Sequence, residues 1–193
     1  MKNVLYIVDD HNMVRNGLKM WLEKYTEWKA PHDFSNGEDC LKFLEQLSPE
    51  HSDFPEIMII DVQLIGETGF KLAKDINTKF PQIKIVMYSM YDTAGFVLQA
   101  KDSGAKAYVS KIANEEELAK CLEIVQSGGT YLEEHMIQTQ NKISSVVNIL
   151  SKQEKNILNQ FYMEKLTLRF VKNFFLVNEL SQIIPVVFMQ KSM

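Results

Sequence analysis

Along the first two thirds of the chain, short β-branched apolar runs alternate with helix-periodic segments. This alternation constrains the fold more than any other feature. "NVLYIV" (Asn3 to Val8) precedes "MVRNGLKMWLEKY", which carries Val14, Leu18, Trp21 and Leu22 at helical spacing. "WKAPHDF" predicts a weaker strand, because Pro31 cannot donate to a ladder. It precedes "NGEDCLKFLEQL", helical with Cys40, Leu41, Leu44 and Leu47 on one side. "IMIID" leads into "GFKLAKDINTKF", and "IKIVMYS" (Ile83 to Ser89) into "TAGFVLQAKDSG", a helix closed by Gly104. "AYVS" precedes "NEEELAKCLEIVQSGG", capped by Asn114 and stopped by Gly128 and Gly129. Five strands alternating with five helices predict an α/β fold, a parallel sheet covered on both faces. Uninterrupted apolar strands such as "IMII" suit burial on both sides.

In open sheets of this kind, sites form at the carboxyl ends of strands, near a switch in strand order. Charged and hydroxyl residues fall at those ends: Asp9 and Asp10, Asp61, Ser89 and Lys111. Taken singly, each has a plain reading. Asp10 could cap the first helix, Asp61 could start a loop as an Asx turn, Ser89 could be a turn residue and Lys111 a solvated lysine. Their coincidence at successive strand ends favours a site. Converging carboxylates repel, and a Mg²⁺ ion held by one or two of them plus a phosphate would relieve that. Asp61 could then act as a carboxylate nucleophile and form an acyl phosphate. Lys111 would neutralise phosphoryl oxygens, and Ser89 would donate a hydrogen bond made only in the phosphorylated state.

The rest of the composition narrows the partners. Net charge is −4, so nucleic acid binding would need a local basic patch. Cys40 and Cys121 lack metal or redox spacing and read as reduced core thiols of a cytoplasmic protein. "MKNVLYIVDD" is not a signal peptide, and no apolar run is long enough to span a bilayer.

The order "VDD", "IID", "YSMYD" and "AYVSK" resembles the receiver domain of bacterial two-component response regulators, over about Lys2 to Gly129. The resemblance implies a flavodoxin-like, five-stranded doubly wound receiver at 1–129, with Asp61 as the phospho-accepting aspartate. It implies that Asp10 and Asp61 ligate Mg²⁺ directly, that the Gln63 backbone carbonyl completes the site, and that Asp9 acts through water. Ser89 becomes the switch hydroxyl, Lys111 the phosphate-pairing lysine, and Tyr108 the aromatic that swings inward on activation. Tyr108 also reads as a half-buried strand aromatic. The implied partners are a sensor histidine kinase and a second copy in a homodimer, with no membrane. "SMYD" and "GAKAYVSK" are most similar to the branch (NarL/FixJ-like) whose receivers precede a LuxR-type helix-turn-helix. One departure is local: Leu64 and Ile65 stand where the family has Met-Pro, while Gly69 is kept. A Mg²⁺-dependent phosphohydrolase is the enzymatic rival. It would need a general acid two residues after the nucleophile, and Gln63 cannot serve.

Beyond Gly129 the pattern changes. Residues 130–149 read as a linker. "LSKQEKNILNQFY" reads as a helix with Ser151 and Glu154 in a capping box, similar to the first helix of a LuxR-type head. From Met163 the sequence no longer fits that head. A one-base slip of reading frame near Tyr162 permits a translation containing "TNSEI" and "SKRTVSNH", the missing patterns in their expected order. Residues 150–193 are therefore expected to be an incomplete α-helical remnant, out of frame after about 162, with no DNA-binding residues of its own. A receiver without DNA output, acting as a phosphate sink or interaction module, is the alternative. Leu166, Phe170, Phe174, Val177 and Leu180 lie near helical spacing and leave self-association open.

Overall fold

The computed structural model describes residues 3–91, 94–133 and 136–137 of the 193. The capping box at Ser151 and Glu154 and the tail from Met163 lie outside the described residues. The elements follow in chain order. They are β1 (Leu5–Val8), α1 (Asn12–Tyr25), β2 (Asp33–Phe34), α2 (Gly37–Gln46), β3 (Ile57–Asp61), β4 (Gln63–Leu64), β5 (Glu67–Thr68) and α3 (Gly69–Lys79). Then come β6 (Lys84–Ser89), α4 (Ala94–Asp102), β7 (Ala107–Ser110), α5 (Glu115–Gln126) and β8 (Tyr131–Leu132).

A parallel sheet runs β2-β1-β3-β6-β7-β8. The strand order reverses at β1, so the crevice between the ends of β1 and β3 is the topological switch point. The register sets those ends level: Val8 lies opposite Ile60, Asp61 opposite Tyr88 and Ser89 opposite Ser110.

Alternation along each strand sorts the core into two layers. Leu5, Ile7, Ile57, Ile59, Val86, Ala107 and Val109 face α1 and α5, where they meet Leu18, Leu22, Leu118, Leu122 and Val125. The intervening Tyr6, Met58, Ile60, Met87 and Tyr108 are buried on the opposite face. Cys40 and Cys121 are buried and unbridged, and burial pushes the Cys121 thiol up to about 12. Helix ends obey the sequence signals. Asn36 and Asn114 accept hydrogen bonds from Asp39 and Glu117 backbone N–H at 2.9 Å, while Gly104 and Gly128 take φ of +87° and +90° just past α4 and α5.

Three features depart from expectation. The strand foreseen over "WKAPHDF" shrinks to Asp33–Phe34, with one isolated bridge between Val4 and Lys29. The expected five strands are joined by a sixth, Tyr131–Leu132, inside the stretch expected to open a linker at 130. Its N–H at Tyr131 bonds the Lys106 carbonyl at 3.0 Å, and Glu133 Oε1 accepts from Ser110 N–H at 2.5 Å. The third feature is the antiparallel hairpin β4-β5 in the loop where Met-Pro is replaced. Leu64 is buried, Ile65 is 72% exposed at the first central position, and Gly66 follows at φ +85°. Ile65 itself is outside the left-handed region, so the φ signs are those of a type II turn, which favours Pro at that position. Ile65→Pro should therefore stabilise the protein by about 0.4–1 kcal/mol, read as a higher urea midpoint, because Leu64 is already extended.

Candidate functional site: an acidic pocket at the switch point

Five of the predicted site residues stand at or just after the ends of neighbouring strands. Asp9 and Asp10 follow β1, Asp61 ends β3, Ser89 ends β6 and Lys111 follows β7. The Asp9 and Asp61 carboxylates are buried, at 2% and 4% exposure. Lys111 is not the solvated lysine of the plain reading. Its side chain is 9% exposed, and its Nζ lies 2.7 Å from both Asp61 Oδ2 and Asp9 Oδ2. Asp10 does not cap α1; His11 takes the N-cap position, and Asp9 Oδ1 accepts its backbone N–H at 2.8 Å.

Burial pushes the Asp61 carboxyl above its ordinary value. The Lys111 ammonium pulls it back, and the Asp9 charge adds to the rise. Burial alone would lower the Lys111 amine, but its hydrogen bonds to Asp61 and Asp9 hold it above the usual lysine range. The Asp61 carboxylate also accepts from Gln63 backbone N–H.

Asp9, Asp10, His11 and Asp61 each bring a ligand atom within 4.8 Å of the others. His11 was absent from the set read in the sequence. Its Nδ1 stands 2.7 Å from Asp10 Oδ1 and 3.2 Å from Asp9 Oδ1. Asp9 Oδ2 and Asp10 Oδ1 are buried and, apart from the Lys111 and His11 ion contacts, accept no hydrogen bond. Three carboxylates against one ammonium leave a formal charge of −2. Hard oxygen donors within 4.8 Å of one another and this net negative charge fit a divalent cation such as Mg²⁺.

Ser89 is fully buried and its Oγ accepts from Tyr91 N–H at 3.1 Å, so the turn reading holds for its present contact. Tyr108 is 2% exposed, and its hydroxyl donates to the Tyr91 carbonyl. Ser89 and Tyr108 thus grip Tyr91 from its two sides. Gln63 is exposed at the start of the β4-β5 hairpin.

The wall beside β1 is built on Asp33. Its Oδ1 accepts from Lys19 Nζ and its Oδ2 from Arg15 Nε, both at 2.7 Å. Burial alone would raise the Asp33 carboxyl; the two cations overcome that and hold it below 3.8. A depressed folded value means stability that is present above 3.8 and lost as pH falls through the lower value. Asp33→Asn should cost about 1 kcal/mol near neutral pH, and urea titrations at falling pH should show the two proteins converging below pH 3.8.

Residues 5–123 match the family model described as the response regulator receiver domain. The oxygen regulatory protein NreC of Staphylococcus haemolyticus is 30% identical over 169 residues, covering 80% of this chain and 74% of that protein. The transcriptional regulatory protein DegU of Brevibacillus brevis is 24% identical over 151 residues, 78% of this chain but 61% of its own length. The crystal structure of a LuxR-family two-component response regulator from an Aurantimonas species superposes with TM-score 0.67 at 21% identity, covering 74% of this chain and 97% of that one. These relatives are regulatory proteins by name. Among the described residues, no helix is long and apolar enough to cross a membrane.

Proposed function

Because this chain belongs to the response regulator receiver family, we propose that Asp61 accepts a phosphoryl group from a sensor histidine kinase. The observation that carries the reading is the Lys111 Nζ held 2.7 Å from both Asp61 and Asp9, one ammonium among three gathered carboxylates. An Asp61 oxygen attacks phosphorus, the new O–P bond forms, and the N–P bond of the donor imidazole breaks with its electron pair returning to nitrogen. Asp10 and Asp61, the Gln63 carbonyl and, through water, Asp9 would hold a Mg²⁺ ion, whose charge would offset that of the phosphoryl oxygens. Lys111 turns from Asp61 to a phosphoryl oxygen. Ser89 donates its hydroxyl proton to another, and its grip on Tyr91 N–H is the bond such a shift loosens. Tyr108, already inward and bonded to the Tyr91 carbonyl, secures the other end of the switch.

The test is a small phosphodonor with Mg²⁺, read by intact mass. An added phosphoryl mass removed by hydroxylamine, as for an acyl phosphate, is expected. An adduct resistant to hydroxylamine, or none at all, overturns the reading.

For output we propose a receiver at 1–129 with the edge strand Tyr131–Leu132 added to its sheet, a connecting stretch from there to 149 and a remnant of a LuxR-type head at 150–193, out of frame after about 162. The names of the relatives and the permitted alternative translation support this reading. Transcription regulation through DNA, with pairing of two copies, would be the ancestral output in the cytoplasm. In the present frame Glu179 and Leu180 stand where a recognition segment needs cations and polar side chains. That favours, for this chain itself, a phosphate sink or interaction module. Sequencing the DNA across the locus tests the slip: an intact overlapping frame is expected, and its absence sinks it. Salt-dependent operator binding by this chain would overturn the loss of DNA output.

A further inference from the structure

We propose that Arg15 is a positioning residue for the metal-binding pocket, orienting Asp10 without touching the ion; this rests on the reading of Asp10 as a direct ligand. Arg15 lies one turn into α1, and its side chain is 12% exposed. Its Nη1 donates to the Asp9 carbonyl at 2.6 Å, its Nε to Asp33 Oδ2 at 2.7 Å and its Nη2 to Asn12 Oδ1 at 3.2 Å. One planar fork therefore ties together the end of β1, the start of β2 and the first turn of α1.

The contact with the Asp9 carbonyl is the informative one. That carbonyl and the Asp10 nitrogen belong to one planar peptide unit. The unit lies beyond the last ladder residue of β1, where Asp9 N–H still bonds the Phe34 carbonyl at 3.1 Å. Holding its oxygen fixes the rotation of the plane, and with it the direction in which Asp10 leaves the backbone. Asp33 sets the Arg15 fork, and Lys19 pairs the second oxygen of Asp33. Among the described residues Lys19 shares the carboxylate while only Arg15 also donates to the Asp9 carbonyl, which makes Lys19 an internal control.

Outer partners of metal ligands affect metal affinity by about 10–100-fold. Mg²⁺ titration calorimetry, with free Mn²⁺ followed by electron paramagnetic resonance as a second probe, compares wild type, Arg15→Met, Arg15→Lys and Lys19→Met. Urea midpoints are measured alongside. Arg15→Met should raise the Mg²⁺ Kd about tenfold or more, while Lys19→Met, which loses an ion pair to the same Asp33, stays within about twofold. Arg15→Lys keeps the charge and loses the fork; it should share the loss of affinity, and it carries the test if Arg15→Met does not fold. A wild-type Kd in the Arg15 variants overturns the proposal, and so does an equal rise in Lys19→Met. Failure of the wild type to bind Mg²⁺ would bring down the proposed function as well, so the two failures are distinguishable.

Discussion

Asp61→Asn should carry no phosphoryl adduct after treatment with a small phosphodonor and Mg²⁺, while being at least as stable as the wild type in the absence of divalent ions. The first half follows from chemistry: a neutral amide oxygen cannot replace a carboxylate nucleophile. The second half follows from linkage. Burial raises the Asp61 carboxyl in the fold. A raised acid binds its proton more tightly folded than unfolded, so its contribution to stability falls as pH climbs from the ordinary value of 3.8 through the higher folded value. At neutral pH, above the ordinary value, Asp61 therefore costs the apo fold stability that an uncharged isostere does not. Intact mass reads the first half and urea midpoints the second. An adduct persisting in Asp61→Asn sinks the assignment; a marked fall in the apo midpoint would instead make Asp61 a structural residue.

Gly69→Ala should be the most damaging single-methyl change, and Gly17→Ala should go the other way. A Cβ on Gly69 would stand 1.9 Å from the Asp61 carbonyl oxygen, 2.9 Å from its carbon and 3.1 Å from Val62 Cα. All three are backbone atoms, so no rotamer change relieves the clash. Gly69 N–H also bonds the Val62 carbonyl at 2.8 Å, at the first turn of α3. Either α3 retreats or the end of β3 carrying Asp61 shifts. The expected cost is about 3 kcal/mol in urea, at the upper end for overpacking, together with weakened Mg²⁺ binding. Gly17 is exposed in α1 with nothing within 4 Å of its would-be Cβ. There alanine should stabilise by about 0.5–1 kcal/mol. Equal effects at the two glycines would refute the backbone-contact argument.

The departure at Leu64 and Ile65 bears on the same loop. Losing Met-Pro leaves the hairpin formed, with Leu64 buried and Gly66 carrying the turn. The neighbouring Gly69, which no side chain could replace, explains why the approach of α3 to Asp61 survives a changed turn.

Some of this protein was written in local patterns, and local patterns are what a sequence displays. Apolar runs marked the strands and a period of 3.6 the helices, because the buried residues of each element are close neighbours in the sequence. The strand-end positions of Asp9, Asp10, Asp61, Ser89 and Lys111 were equally visible, since a charge after an apolar run is a neighbour relation. The fold alone decided what those residues meet. Strand order brings Asp9 level with Asp61, residues 52 positions apart, and lets Lys111 Nζ bridge them. Tyr131–Leu132 is too short to show a period, and it is a strand only because Lys106 and Tyr108 offer it an edge. Arg15 looks like any helical arginine until the β1–β2 pairing carries Asp33 and the Asp9 carbonyl to its fork. Periodicity is set by contacts within an element; pairing, ligation and support of the pocket are set by contacts between elements, and those exist only once the chain has folded.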